Sequence, residues 1–281
     1  GNFENENDDE CLLNFSMLQS TPEKLDNAGK KLDPMAAVEA FRKENIDVDS
    51  AREQFYISRL EGSEDMKRDI LGLYKDPRRN LKARPKVRFE GEEGVGAGPV
   101  REFFVCALGI PREGMSGTGR PVVYFEGESD HLLPVHNQML QQMGAFVCIG
   151  KIIGHSILHG GPGLFGISPA AKHFWANNVE ENPPPVVLYD IADINLRELI
   201  YELQRIDEGV TIEENLKESL EPYIIEAGLD IELLHLNRRM VIQGVLWYFI
   251  INKRKLELED IGKGMDAVSL QQFFMKQPSL V

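Results

Sequence analysis

The stretch KVRFEGEEGVGAGPVREFF, residues 86–104, decides how the rest of the sequence is interpreted. Val87 and Phe89 alternate with charged residues, which predicts a half-buried strand. Four glycines then fall within eight positions, and Pro99 stands where a helix could begin. The stretch is therefore either a phosphate-binding loop or a tight turn between a strand and a helix.

A phosphate-binding loop fits these glycines poorly. A Walker loop requires a Lys-Ser or Lys-Thr pair after its last glycine, and none follows here. A dinucleotide-binding fingerprint requires the spacing G-x-G-x-x-G, but Arg101 stands where the third glycine after Gly96 and Gly98 should be. Glu92 and two neighbouring glutamates would also repel a phosphate. We therefore predict a strand-to-helix turn whose glycines supply positive φ angles.

A long helix is predicted over NQMLQQMGAFVCIGKIIGHSILHGG, residues 137–161, because its apolar residues form one stripe. Gly150 and Gly154 are four residues apart, which lets another helix approach closely. His155 and His159 share a face, but a zinc protease would need a glutamate directly after the first histidine. The favoured interpretation is a pair of helix-terminal histidines stabilised by the helix dipole, with a metal site that recruits distant ligands as the alternative.

Composition narrows the class of protein. The chain has 281 residues and a net charge of −14, so it should bind neither duplex nucleic acid nor an anionic membrane. No apolar run reaches the roughly 18 residues that a membrane span needs. The first 20 residues lack the basic start of a secretory signal, and three cysteines do not suggest a disulfide framework. We expect a soluble protein of the cytoplasm or nucleus without a cofactor.

The cysteines are not expected to be nucleophiles. A reactive thiol needs an exposed, positively charged setting that favours the thiolate. Cys11 follows three acidic residues, whereas Cys106 and Cys148 lie in apolar helical stretches. No G-x-S-x-G motif occurs, so a serine hydrolase has no support either.

The chain divides into an acidic tail, residues 1–33, and a body, residues 34–281. The tail contains one apolar patch, CLLNF, which either packs onto the body or adds a strand to a ubiquitin-like partner. Residues 34–85 are predicted to be helical, with Asp33 and Ser63 as N-caps. We predict a mostly helical α+β fold with short antiparallel strands near residues 86–90 and 121–126 and no parallel sheet.

Several segments, taken in order, resemble the N-terminal lobe (N-lobe) of HECT-type ubiquitin-protein ligases. They are VRFEGEEGVGAGPVREFF, VYFEGESDHLLPVHN, FVCIGKIIGHSILHGG, ISPAAKHFW and DIADINLREL, and the resemblance spans roughly residues 50–275. The positions that carry it are expected to be structural, with Arg101 and Glu102 forming ion pairs or caps. These positions are Phe89, Gly91, Glu92, Gly94, Arg101, Glu102, Phe103, Phe104, Gly150 and Gly154.

The resemblance implies which proteins the chain binds and which step of ubiquitin transfer each lobe carries out. The N-lobe docks a ubiquitin-charged conjugating enzyme, and ubiquitin then passes to a cysteine in a C-terminal lobe. That cysteine lies in a context such as T-C-x-N, which this sequence lacks, so it is expected beyond Val281 and this chain alone is expected to be inactive. Residues 207–238, where the docking platform is expected, are short and acidic, which predicts a reduced platform. The glycine turn is also one residue shorter than in the family and lacks its aspartate.

Two hypotheses remain open from the sequence. In the first, the chain is a fragment of a thioester-forming ligase that docks the conjugating enzyme. In the second, it is a non-catalytic interaction module that retains the N-lobe fold. A continuation of about a hundred residues with a T-C-x-N motif would favour the first hypothesis, and a natural stop would favour the second.

Overall fold

The computed structural model describes residues 33–59, 62–94, 96–116, 119–207 and 209–281. The fold is mostly helical with two small sheets, which confirms the predicted α+β class. The predictions for the acidic tail concern residues outside this described part. The strands are β1 (Glu53–Ile57), β2 (Pro85–Phe89), β3 (Phe125–Glu126) and β4 (Leu133–Pro134). The helices are α1 (Pro34–Asn45), α2 (Ser63–Lys75), α3 (Ala97–Glu113), α4 (Gln138–Gln142), α5 (Ala145–Leu158), α6 (Pro169–Ala176), α7 (Ile194–Arg205), α8 (Glu214–Glu226), α9 (Leu233–Leu236), α10 (Arg238–Ile250), α11 (Lys255–Asp266) and α12 (Leu270–Lys276).

Polar side chains start several of these helices. The Asp33 carboxylate accepts a hydrogen bond from the Met35 amide at 3.0 Å, and Pro34 occupies the first helical position of α1, as predicted. The Ser168 hydroxyl and the Asp193 carboxylate cap α6 and α7 in the same way. The prediction for Ser63 is wrong: it is the first residue of α2, and Gly62 holds the cap position without a side-chain hydrogen bond.

The larger sheet corrects one prediction. β1 and β2 pair in parallel, with Phe55 opposite Val87 and Ile57 opposite Phe89, whereas we predicted only antiparallel strands. α2 lies between the two strands in the chain, and such a crossover is what a parallel pair requires. The antiparallel prediction holds only for the smaller sheet, where Phe125 pairs with Pro134.

The long predicted helix is two helices. Gly144 has a φ of 70°, in the left-handed region, and separates α4 from α5. Because of this break, Met143 does not join the apolar stripe and is 57% exposed. α5 itself is almost entirely buried and lies at the centre of one connected hydrophobic core that extends from Phe41 to Phe274.

α5 and α11 cross at their glycines, as the spacing of Gly150 and Gly154 predicted. A Cβ atom at Gly150 would overlap the carbonyl oxygen of Ile261 and lie 2.8 Å from the Cα atom of Gly264. A Cβ atom at Gly154 would lie 2.7 Å from the Val268 side chain. The two backbones are therefore in direct contact, and only glycine fits at the crossing.

None of the described helices combines the length and the apolar content needed to cross a lipid bilayer.

Candidate partner-binding site

The strand, turn and helix that carry the family resemblance form part of the core. Phe89 ends β2, while Phe103 and Phe104 begin the buried face of α3, and all three side chains are at most 2% exposed. The Phe103 ring lies 5.1 Å from the ring of Phe55 on β1, centroid to centroid. These aromatic residues therefore join the parallel sheet to the helices, and their role is packing.

Two of the four turn glycines have the predicted positive φ. Gly91 has a φ of 79° and Gly96 one of 114°, values that other residues rarely adopt. Gly94 does not share this conformation, and Gly98 lies inside α3. The glycines shape the chain reversal, and no phosphate site is needed to explain them.

Arg59, which the sequence did not single out, anchors the turn. Its guanidinium lies 2.7 Å from the Glu92 carboxylate, 2.6 Å from the Glu102 carboxylate and 3.7 Å from the centroid of the Phe89 ring. One cation, two residues after the end of β1, thus links the end of β2, the turn and the first turns of α3. Glu102 thus forms an ion pair, as predicted, whereas Arg101 is exposed and forms no ion pair within the part of the chain that is described.

The paired histidines of α5 belong to a buried polar cluster. His155 is fully buried, and its Nδ1 atom lies 2.8 Å from the Tyr74 hydroxyl. His159 Nε2 lies 2.9 Å from the carbonyl oxygen of Leu81, and the two imidazole rings are 4.9 Å apart. Burial lowers the pKa of His155 well below 6.5 and lowers the pKa of His159 as well.

These pKa shifts contradict the expected stabilisation of charged histidines by the helix dipole. Desolvation outweighs the dipole because both rings face the core. Among the described residues, no group of three or more histidine, cysteine, aspartate or glutamate side chains is arranged to hold a metal ion. We assign the cluster to packing.

The two described thiols match the prediction that they are inert. Cys148 is buried and Cys106 is half-buried, and burial raises the pKa of both thiols. A raised pKa leaves little thiolate near neutral pH, so neither group is a good nucleophile. Cys11 lies outside the described residues.

The surface between α7 and α10 exposes large apolar side chains. Val210, Leu236 and Met240 are 54%, 80% and 44% exposed, and we call these three residues the apolar pad. Leu236 lines an open cleft of about 740 Å³, beside which the pad lies. Other residues that line the cleft are Leu203, Ile206, Leu234, Arg238 and Ile242.

Hydrogen bonds hold the pad in place. The Arg238 guanidinium donates to the carbonyl oxygen of Ile206 and, at 3.1 Å, to that of Val210. The Asn237 side chain accepts from the Met240 amide at 3.0 Å and so starts α10 directly after α9. These hydrogen bonds hold the backbone next to the pad, and the pad offers apolar area that a partner could bury.

The pad lies in and next to the acidic segment that the sequence analysis associated with a reduced platform. The structure forms two helices there, α8 and α9, followed by the start of α10. The exposure of Leu236 was not predicted, because the run LLHL does not show which of its leucines is exposed and which is buried. The ten predicted positions lie elsewhere, at the turn and at the crossing of α5 with α11, and contribute no residue to the pad.

Comparison with known proteins gives no family assignment. No protein-family model matches the chain, and no curated protein matches it significantly.

Proposed function

We propose that this chain is the N-lobe of a HECT-type ubiquitin-protein ligase and that its apolar pad docks a ubiquitin-charged conjugating enzyme. The exposure of Leu236 at the rim of the cleft carries the proposal, because large apolar side chains that lie together on the surface mark an area that a partner can bury. The order of the sequence segments that resemble the family supports it. The pad follows DIADINLREL in the chain, where the resemblance leads us to expect the docking platform.

In this proposal the chain positions the charged conjugating enzyme and supplies no group that takes part in the bond exchange. A thiolate on a second lobe, outside these 281 residues, attacks the thioester carbonyl of the charged enzyme. The new thioester forms as the thiol of the conjugating enzyme leaves, so the number of thioester bonds is unchanged. Docking raises the effective concentration of the thioester near the accepting lobe, and this accounts for the contribution of the N-lobe to the rate.

The charge around the pad indicates what kind of partner surface fits. Residues 207–238 contain nine acidic and two basic residues, so a partner with basic residues around an apolar contact is favoured. Electrostatic attraction of this kind mainly accelerates association, whereas the buried apolar contact sets the lifetime of the complex.

Replacing Leu236 with aspartate is expected to weaken binding of the conjugating enzyme about tenfold or more, because it places a charge in the apolar contact. Binding would be measured by calorimetry with a panel of ubiquitin-charged enzymes whose thioester is replaced by a stable amide. Leu256→Asp is the matched control, since Leu256 is also exposed, at 57%, but lies at the start of α11. Equal binding by both variants and the parent chain would contradict the docking proposal.

A second prediction concerns the thiols. Mixed with activating enzyme, conjugating enzymes and ubiquitin, the chain is expected to form no adduct that a reducing agent removes, because burial disfavours the thiolates of Cys106 and Cys148. Replacing these two residues and Cys11 with serine should leave that result unchanged on a denaturing gel. A reducible ubiquitin adduct that disappears with any one of these cysteines would overturn the assignment.

The same experiments address the second candidate function, a non-catalytic interaction module. Raised thiol pKa values fit that function as well as they fit an N-lobe. Binding of charged conjugating enzymes at the pad favours the N-lobe, and a folded chain that binds none of them favours the module.

A further inference from the structure

A basic stretch interrupts this acidic chain. Although the net charge is −14, residues 78–88 contain six lysine and arginine residues and no acidic residue. The stretch leads into β2 and ends one residue before the end of that strand. Its charge therefore contrasts with that of the protein as a whole.

The geometry of β2 gathers part of this charge on one side. Val87 and Phe89 are buried, so Arg84, Lys86 and Arg88 fall on the opposite side of the extended chain. Arg84 and Arg88 are exposed, and Lys86 is half-buried. We call these three residues the cation row.

β1 widens the surface beside the cation row. Gln54 pairs with Lys86 and Tyr56 with Arg88, and both β1 residues are exposed. The Tyr56 hydroxyl donates a hydrogen bond to the Gln54 side-chain oxygen at 3.0 Å. Arg52, two positions before Gln54, is exposed as well and adds a fourth cation. The surface is thus a strip two strands wide, on which three of the four cations are equally spaced.

The cation row and Arg52 have no carboxylate partner within the described part of the chain. In contrast, the neighbouring Arg79 lies 2.7 Å from the Glu53 carboxylate, and Arg78 lies 2.9 Å from that of Asp76. Like charges at neighbouring positions of a sheet repel one another and destabilise it. A negatively charged partner would remove this repulsion, so charge complementarity favours such a partner at this surface.

The spacing of the cations determines which anionic partner fits. Alternate side chains of a strand recur about every 6.6 Å, and so do those of an extended peptide. Carboxylates at three alternate positions of a peptide can therefore meet the cation row one to one. Glu90 is exposed and continues the row by one position, so it would repel a fourth carboxylate.

We propose that the cation row binds an acidic segment of a partner protein in extended form, with carboxylates at three alternate positions paired with Arg84, Lys86 and Arg88. Each arginine can hold its carboxylate through two parallel hydrogen bonds, whereas the lysine acts as a point charge. Exposed ion pairs are individually weak, so the contact mainly accelerates and orients the association of a partner that also binds elsewhere on the chain. This inference is independent of the proposed ligase function.

A nucleic acid fits the cation row less well than an acidic peptide does. The whole chain has 45 acidic and 31 basic residues, so it would repel a nucleic acid that extends beyond a few phosphates. The sheet has only two strands, which suits a single extended peptide.

Carbodiimide cross-linking of the full chain to a synthetic peptide tests the proposal, because this reagent joins a carboxylate to an amine only where the two are in contact. The probe is a peptide with blocked termini in which three glutamates alternate with serines. Mass spectrometry is expected to find at least five times more peptide on Lys86 than on Lys276, an exposed lysine of α12. Raising the salt from 0.05 M to 0.5 M should lower the yield on Lys86 several-fold, since it screens the ion pairs.

Two charge variants and a second peptide complete the test. Arg84→Gln with Arg88→Gln should lower the yield on Lys86 at least fivefold. Arg101→Gln with Arg112→Gln is the matched control, because it removes the same charge from exposed positions of α3 and should leave the yield unchanged. A peptide of the same composition with three adjacent glutamates should give a lower yield, since adjacent side chains of an extended chain point to opposite sides.

Four results would overturn the proposal. Equal cross-linking to Lys86 and Lys276 would show that the contact is unspecific. Equal losses in the two arginine variants would show that only the net charge matters, and equal yields from the two peptides would show that the spacing is not recognised. Displacement of the peptide by a ten-nucleotide oligothymidylate, at a lower concentration than free peptide requires, would show that the surface prefers nucleic acid.

Discussion

Replacing Gly150 with alanine is expected to lower the free energy of unfolding by about 3 kcal/mol, or to prevent folding. The added methyl group would overlap the Ile261 carbonyl oxygen and lie 2.8 Å from the Gly264 Cα atom. These are backbone atoms of α11, so no side-chain rotation relieves the clash and the two helices must separate. Urea denaturation followed by circular dichroism measures the change.

Gly72→Ala is the matched control for this variant. Gly72 lies on the exposed side of α2, and a Cβ atom there would meet no other atom within 4 Å. Alanine at this position should stabilise the protein by up to about 1 kcal/mol through helix propensity alone. Equal small effects at both positions would contradict the close helix crossing. Gly264→Ala should resemble Gly150→Ala, because its methyl group would overlap the Val147 carbonyl oxygen.

The stability of the fold is expected to decrease as the pH falls below about 6.5. Burial lowers the pKa of His155 well below its ordinary value of 6.5, so the unfolded chain takes up a proton there before the folded chain does. Because the unfolded state binds more protons in this range, its free energy falls relative to the native state. The loss is up to about 1.4 kcal/mol per pH unit for each histidine of this kind. His159 adds to it in the same direction.

The histidines and two carboxylates, Asp47 and Asp76, affect the stability of the fold in different pH ranges. Hydrogen bonds lower the pKa values of Asp47 and Asp76 to about 2, so the stability they contribute is lost only below their ordinary value of 3.8. Unfolding measured between pH 5 and pH 7.5 therefore lies above the range in which these two carboxylates act. His155→Gln should remove up to about 1.4 kcal/mol per pH unit from the slope. A slope that His155→Gln leaves unchanged would contradict the assignment.

The sequence predicted the elements whose signals are local. The alternation at Val87 and Phe89, the cap at Asp33 and the spacing of Gly150 and Gly154 each act within a few residues, and each has the predicted structure. The prediction failed for a feature that depends on residues far away in the sequence, namely the direction in which β2 pairs. The direction of β2 depends on pairing with β1, which lies about 30 residues earlier in the chain.

The remaining errors have physical causes as well. The long helix breaks at Gly144 because this residue adopts a positive φ, which a continuous helix does not allow, although the apolar stripe runs on past it. The histidines at the end of α5 are uncharged because burial outweighs the helix dipole. The sequence did not reveal the role of Arg59, because its three contacts lie on β2, on the turn and on α3 and become its neighbours only when the chain folds. The apolar pad depends on which leucine of a run stays exposed, and only the tertiary structure decides this.

Amide hydrogen exchange of the chain with and without a stable, ubiquitin-charged conjugating enzyme tests the docking proposal most directly. The proposal predicts slower exchange in residues 206–210 and 233–240, around Val210, Leu236 and Met240, and no change at the start of α11. Protection confined to another surface, or no protection by any conjugating enzyme at concentrations well above 0.1 mM, would contradict it.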